Sequence, residues 1–287
     1  MARRSTYILL FLIFNLPVVQ AQNSRAESAQ SYCTRGNARL AKGELDRAIA
    51  DYDLAIVFDP SSYTAFYNRG LARDRKGDLI GAISNYSKTI DLNPRFVAAY
   101  LNRGVALYEL GDLRFALRDF DRAIELNPRE AKAYVSRGAA RQRVGDTDGA
   151  LADFTEAIRL DHRNDRAWGN RCGLRYVKQD YTAALGDCNQ ALQLNLQNYD
   201  AWSNRGMVRT ANGDAAGAVT DFDQALKLNP RETKVYWNRG VAYLLLGKPE
   251  EAESDFNKFR ELGGKFTPAM EQVLRDTQQR LNMRPRR

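Results

Sequence analysis

Residues 97–130 read VAAYLNRGVALYELGDLRFALRDFDRAIELNPRE, and the Asn102-Arg103-Gly104 triplet within them decides the fold. Counting outward from Gly104 in steps of 34 residues reaches Gly36, Gly70, Gly138, Cys172, Gly206 and Gly240, with no insertion. Two more columns keep the same step. One is a turn glycine at Gly43, Gly77, Gly111, Gly145, Gly213 and Gly247; the other is an alanine at Ala48, Ala82, Ala116, Ala150, Ala184, Ala218 and Ala252. Several columns in one register are not a product of chance, so the chain is built from a repeated unit.

Spacing and residue types together are similar to the tetratricopeptide family, in which two antiparallel helices form each 34-residue unit. The resemblance covers seven units: 29–62, 63–96, 97–130, 131–164, 165–198, 199–232 and 233–266. The family's aromatic fourth position is filled by Tyr32, Phe66, Tyr100, Tyr134, Trp168, Trp202 and Tyr236. A bulky residue recurs at the twenty-fourth as Tyr52, Tyr86, Phe120, Phe154, Phe222 and Phe256, and Pro60, Pro94, Pro128 and Pro230 close four units. The fold implied is all-α: a right-handed α-solenoid, or superhelix, of antiparallel helix pairs with a C-terminal capping helix.

Physical chemistry accounts for these columns. Glycine at the eighth position and alanine at the twentieth remove side chain where the paired helices cross, and the aromatics fill the flanking space. The turn glycine suits a left-handed helix end, and the acid that follows it, as at Asp78, Asp112 and Asp146, favours the positive start of the next helix. One pair cannot bury its own apolar stripe. Stability therefore comes from stacked neighbours, and the last unit needs a cap. Residues 267–287 are read as that cap, a helix with a basic tail, because Thr267 can N-cap, Pro268 suits the first turn, and Met270, Val273, Leu274 and Leu281 share a face. No second domain is expected.

At the other end, Arg3 and Arg4 precede an apolar run from Tyr7 to Leu16 and then Val19-Gln20-Ala21, the pattern of a secretory signal peptide over residues 1–21. The apolar run is too short to span a bilayer, and the expected mature chain starts at Gln22 with a polar, disordered lead-in over 22–28. The sequence thus points to an exported protein of the periplasm or cell envelope. Of the formal charge of +8, the leader and the last 21 residues carry all but about +3, so the repeats lack the concentrated basic surface that nucleic acid requires.

Catalysis would need a nucleophile with a base, paired carboxylates or metal ligands at workable spacing, and none is visible. The sole histidine, His162, stands where other repeats place the loop proline. Every glycine column is explained by helix crossing or helix ending, which leaves no phosphate-binding loop and no cofactor site. The expectation is a protein that is not an enzyme, with no cofactor and no metal. Cys172 replaces the eighth-position glycine of repeat five and Cys188 the twenty-fourth-position aromatic of the same repeat. The pair reads either as two thiols repacked at constant volume or, in an oxidising compartment, as a disulfide worth about 3 kcal/mol in the chain-entropy model. Cys33 is left over, as a free thiol or an intermolecular link.

Arginine fills the seventh position of every repeat, from Arg35 through Arg239, while acids recur at the twenty-third as Asp51, Asp119, Asp153, Asp187, Asp221 and Asp255. Paired columns of this kind read as salt-bridge ladders, with an anion-binding track as the rival. The sixth position, which in tetratricopeptide superhelices faces the concave groove, holds Asn68, Asn102, Asn170, Asn204 and Asn238, with Thr34 and Ser136 completing the column. Asparagine is a poor choice for a helix interior. A row of amides can grip the backbone of an extended peptide, or can pair with its own neighbours. The row resembles the asparagine ladder of the O-linked N-acetylglucosamine transferases, whose catalytic domain has no counterpart here.

Lys132, Arg166 and Lys234 in the second column would favour an acidic stretch of partner. The lysine-and-asparagine carboxylate clamp of some relatives is absent, since the fifth position holds Cys33, Tyr67, Leu101, Val135, Gly169, Ser203 and Trp237. Tyr67, Tyr108, Tyr176 and Trp237, read as exposed, are either aromatic anchors for a partner or side chains that pack between repeats. The reading is therefore a scaffold or adaptor that binds a protein or an extended peptide in its groove. The alternatives are an anionic-surface or polyanion binder acting at a membrane surface through the basic tail Arg280, Arg284, Arg286 and Arg287, and an accessory subunit of an envelope enzyme complex.

Overall fold

A computed structural model describes residues 28–282; the expected leader, most of the lead-in and the tail residues Arg284, Arg286 and Arg287 lie outside the described residues. Fifteen helices follow one another, with no strand among the described residues. They are α1 (28–41), α2 (Leu45–Phe58), α3 (Tyr63–Arg75), α4 (Leu79–Leu92), α5 (Val97–Leu110), α6 (Leu113–Leu126), α7 (Ala131–Arg143) and α8 (Thr147–Leu160). Then come α9 (Asp165–Val177), α10 (Tyr181–Leu194), α11 (Tyr199–Ala211), α12 (Ala215–Leu228), α13 (Thr233–Leu245), α14 (Pro249–Glu261) and α15 (Pro268–Asn282). The chain divides into two compact units, one ending at Ala140 and the other beginning at Arg141, a boundary that falls within α7. Within each, helices that follow one another pack together, which makes an all-α solenoid of stacked pairs.

The turns between paired helices are set by backbone chemistry. Gly111 takes φ 85°, a left-handed conformation that costs glycine nothing, and its N–H closes onto the carbonyl of Tyr108. Repeat five departs from this, because Gln179 holds the same place at φ 62°. After the turn, the side chains of Asp78, Asp146 and Asp214 cap α4, α8 and α12, accepting from the N–H groups of Gly81, Gly149 and Gly217 at 2.9, 2.9 and 2.8 Å.

The crossings explain the alternation of small and large. A Cβ on Gly104 would lie 2.6 Å from the Phe120 ring, so α5 and α6 approach as closely as they do only because that atom is missing. Tyr52, Tyr86, Phe120, Phe154 and Phe222 are among the most completely buried side chains. In repeat five the crossing is made instead by Cys172 and Cys188, fully buried, with Cα atoms 5.4 Å apart and sulfurs joined at 2.02 Å. Cys33 is a free thiol buried against Ala55 and Ala65, and burial raises its pKa.

Five of the fourth-position aromatics tie a polar tip to the preceding loop. Tyr100, Tyr134 and Tyr236 donate to the carbonyls of Pro94, Pro128 and Pro230, and the indole N–H groups of Trp168 and Trp202 donate to those of His162 and Leu196. His162 thus enters the pattern through its backbone, with the residue itself exposed.

Helix α15 closes the second unit. Thr267 caps its first turn through Oγ1, which accepts from the Met270 N–H at 3.2 Å, and Met270 and Leu274 pack on Trp237, Phe256 and Phe259. Trp237, an exposed anchor on the sequence reading, is 7% exposed, because Phe266 and the capping helix cover it.

Candidate peptide groove

The arginine column comes first because it decides which charges remain. Arg103, Arg171, Arg205 and Arg239 each grip the carboxylate of the paired helix, Asp119, Asp187, Asp221 and Asp255, with two N–H donors at 2.6 to 2.9 Å. A third donor reaches back one repeat, from Arg103 to Ser87, Arg171 to Thr155, Arg205 to Asn189 and Arg239 to Asp223. Arg69 follows the pattern with Asn85 and Asp53, and Arg137 with Asp121. The guanidinium planes also lie over the fourth-position rings, at 4.8 Å for Arg171 on Trp168 and 4.7 Å for Arg205 on Trp202. At the first repeat, the hydrogen bond from Arg35 holds the buried Asp51 carboxyl below its ordinary value. Groups engaged on three sides are poorly placed to hold an external anion. The column is a clasp between helices and between repeats.

The asparagine column divides. In the first unit the Asn68 amide donates to Asn37 Oδ1 at 2.9 Å and that of Asn102 to the Tyr67 hydroxyl at 2.9 Å, so these side chains link one repeat to the one before. Tyr67 is itself half-buried, its ring edge-on to Phe96. Ser136 is half-buried and Lys132 exposed on α7. In the second unit Asn204 donates to the Gly169 carbonyl at 3.1 Å, which is the backbone-gripping contact an amide can offer, here directed inward. Gly173 permits it, since a Cβ there would stand 3.0 Å from Asn204 Nδ2. Asn170 and Asn238, half-buried on α9 and α13, have no hydrogen-bond partner among the described residues.

These amides line a cleft. A cavity of about 540 Å³ is bounded by Asn170, Tyr176, Tyr199, Asp200, Asn204, Met207, Lys234 and Asn238, on α9, α11 and α13. A second of about 340 Å³ continues from it past Arg166, Asn170, Tyr199 and Asp200 to Asp165, whose carboxylate accepts from Asn195 and Asn198. Of the sequence-read groove residues, Asn170, Asn204, Asn238 and Arg166 meet here, joined by Lys234.

The sequence reading missed Tyr199, Asp200 and Met207. Asp200 shares the second column with Arg166 and Lys234, and this was the signal that could have found it. Its carboxyl is raised above the ordinary value, first by loss of water beside the cleft wall and then by Glu232, against the Tyr199 hydroxyl and Arg166, which lower it. Tyr199 in turn is pushed up to about 12 by burial and by the Asp200 charge. Arg166, Asp200, Glu232 and Lys234 form no ion pair among the described residues, in contrast to the clasped arginines beneath them. The cleft therefore offers unpartnered amides, and charges of both signs that no ion pair among the described residues engages. No metal-holding group of acids, histidine and cysteine occurs among the described residues.

Comparisons with known proteins agree with this architecture. Tetratricopeptide repeat family models match residues 97–130, residues 36–77 and 74–111, and residues 137–199 and 203–264. No curated protein matches the chain in a sequence search. Among solved structures, a tetratricopeptide repeat protein from Parabacteroides merdae is 21% identical, with a TM-score of 0.66 over 88% of this chain and 99% of its own. PilF of Pseudomonas aeruginosa is 20% identical, with a TM-score of 0.65 over 72% of this chain and 94% of its own. YrrB, described as a tetratricopeptide protein with an unusual peptide-binding site, is 22% identical, with a TM-score of 0.51 over 67% of this chain and 97% of its own. Identities this low establish fold alone. With the 34-residue period, the clasped helix pairs and family models spread from residue 36 to residue 264, the chain belongs to the tetratricopeptide repeat family.

Proposed function

We propose that this protein is a non-catalytic scaffold that holds an extended segment of a partner protein in the cleft formed by α9, α11 and α13. One observation carries the reading: Asn170 and Asn238 present unpartnered amides to an open cleft, while Arg171 and Arg239 next to them in sequence, and Arg205 of the repeat between, are already bonded to the fold. An amide both donates and accepts, so it matches the alternating N–H and C=O groups of an extended backbone whatever the side chains are. Arg166, Asp200 and Lys234 then set the charge pattern that the segment must answer. YrrB has a peptide-binding site by its description, and peptide binding is extended to this chain on its own cleft residues. The leader read at residues 1–21 makes the periplasm or cell envelope the compartment of action, testable by whether the protein recovered from the envelope begins at Gln22.

The direct test is Asn170→Ala combined with Asn238→Ala. Each lost hydrogen bond is worth about 1 kcal/mol, so affinity for peptides selected on the native chain should fall by about tenfold or more. The melting temperature should stay put, because neither amide bonds within the fold. Unchanged affinity would move the binding surface elsewhere.

A further inference from the structure

Arg166, Asp200 and Lys234 are each the second residue of their helices, α9, α11 and α13, and α11 lies between the other two, packed on both. All three are exposed, and no ion pair among the described residues engages them. Each stands four residues before an asparagine of the row, Asn170, Asn204 or Asn238, and so lies one helical turn away on the same face. Two rows therefore run side by side across the helices, one of amides and one of charges in the order positive, negative, positive. Arg166 and Asp200 border one cavity, and Asp200 and Lys234 the other. Glu232 strengthens the negative centre, since it borders the same cavity as Asp200 and makes no cap hydrogen bond to α13, which it precedes. At Asp200, hydration lost beside the cleft wall and then Glu232 raise the carboxyl, and Glu232 outweighs Arg166.

We infer that the partner segment held in the cleft is an extended chain of polyproline II type carrying a basic residue, with an acidic residue three positions to either side of it. The inference rests on the peptide reading above and deepens it. Packed helix axes lie about 8 to 10 Å apart. A polyproline II chain advances about 3.1 Å per residue with three residues per turn, so every third side chain returns to one face after about 9 Å and keeps step with the helices it crosses. A β-strand returns a side chain to the same face after roughly 6.6 Å and falls out of step. The first, fourth and seventh side chains of the segment then meet Arg166, Asp200 and Lys234 in turn. A uniformly acidic segment, which Arg166 and Lys234 alone would favour, is repelled at the centre by Asp200 and Glu232. Because the order of charges is symmetrical, the pattern reads the same from either end of the segment.

The test uses the full chain and a displayed library of randomised linear peptides, followed by affinity measurements at low and high salt on a selected peptide and its charge variants. Selected sequences should share a Lys or Arg with Asp or Glu three positions to each side. Replacing that base by Glu should weaken binding by about fivefold or more at low salt, and by less as salt rises. Asp200→Lys combined with Glu232→Gln should invert the preference, so that the Glu-centred peptide binds better than the Lys-centred one, with an unchanged circular dichroism spectrum. Arg166→Glu is an independent reversal, which should turn one flanking preference from acid to base and leave the centre as it was. Preferences that survive both reversals would overturn the pairing, and charges shared at any spacing other than three would overturn the match to a polyproline II chain. Peptides that bind with no charge pattern, yet are lost with Asn170→Ala and Asn238→Ala, would overturn the charge row and leave the cleft standing. Failure to select any peptide would overturn both readings.

Discussion

Gln179 is the residue at which this chain pays for departing from its own pattern. Six equivalent turns use glycine; here a side chain sits at φ 62°, where the Cβ crowds the carbonyl. Gln179→Gly should raise stability by about 0.5 to 1 kcal/mol, the relief of strain being partly offset by the greater freedom of glycine in the unfolded chain. A higher urea midpoint at unchanged slope would show it. Asp51 gives the converse case. Its carboxyl is held below 3.8 by Arg35, so the native state binds the proton less readily than the unfolded chain does. The stability this contributes is fully present above the unfolded carboxyl's value and is lost as pH falls through the lowered one. Asp51→Asn should therefore destabilise the protein at neutral pH and flatten that acid limb, read from thermal melts taken at a series of pH values.

At the scale of elements, α15 has two faces. One, through Met270 and Leu274, covers the aromatic cluster of Trp237, Phe256 and Phe259; the other leaves Val273 exposed beside a small pocket. Ending the chain after Thr267 should cost roughly 3 kcal/mol, the burial of two apolar side chains and part of the cluster beneath them. It should also expose enough aromatic surface to bind a hydrophobic dye. A truncated chain as stable and as dye-free as the full one would show that α14 ends the stack unaided. The α9–α10 pair stands apart for a different reason. Its glycine and aromatic have been exchanged for a linked pair of cysteines, so the crossing that other repeats hold by shape is here held by a bond.

At the scale of the whole molecule, the period made the helix pairs legible, because glycine, alanine and aromatic positions answer to a geometry that is the same in every repeat. Arg103 with Asp119 and Arg205 with Asp221 were readable for the same reason: two columns 16 residues apart must meet when two helices fold back on each other. The groove was legible only in part. The sequence identified Asn170, Asn204 and Asn238 as one row, yet Asn204 bonds to Gly169 while the other two are unpartnered, and that difference depends on the absence of a side chain at Gly173. Trp237, a candidate anchor, is buried because Phe266 and the capping helix, which lie outside the repeat pattern, pack on it. The link between Cys172 and Cys188 bears also on mechanics. Drawn out from its two ends, a stack of helix pairs yields length as each pair opens, but the segment behind this link, whose ends are 16 positions apart in sequence, is withheld. Roughly 50 Å of contour would stay hidden from the pulling force. A tether under tension would thus keep the α9–α10 turn looped after the repeats on either side had been stretched into string.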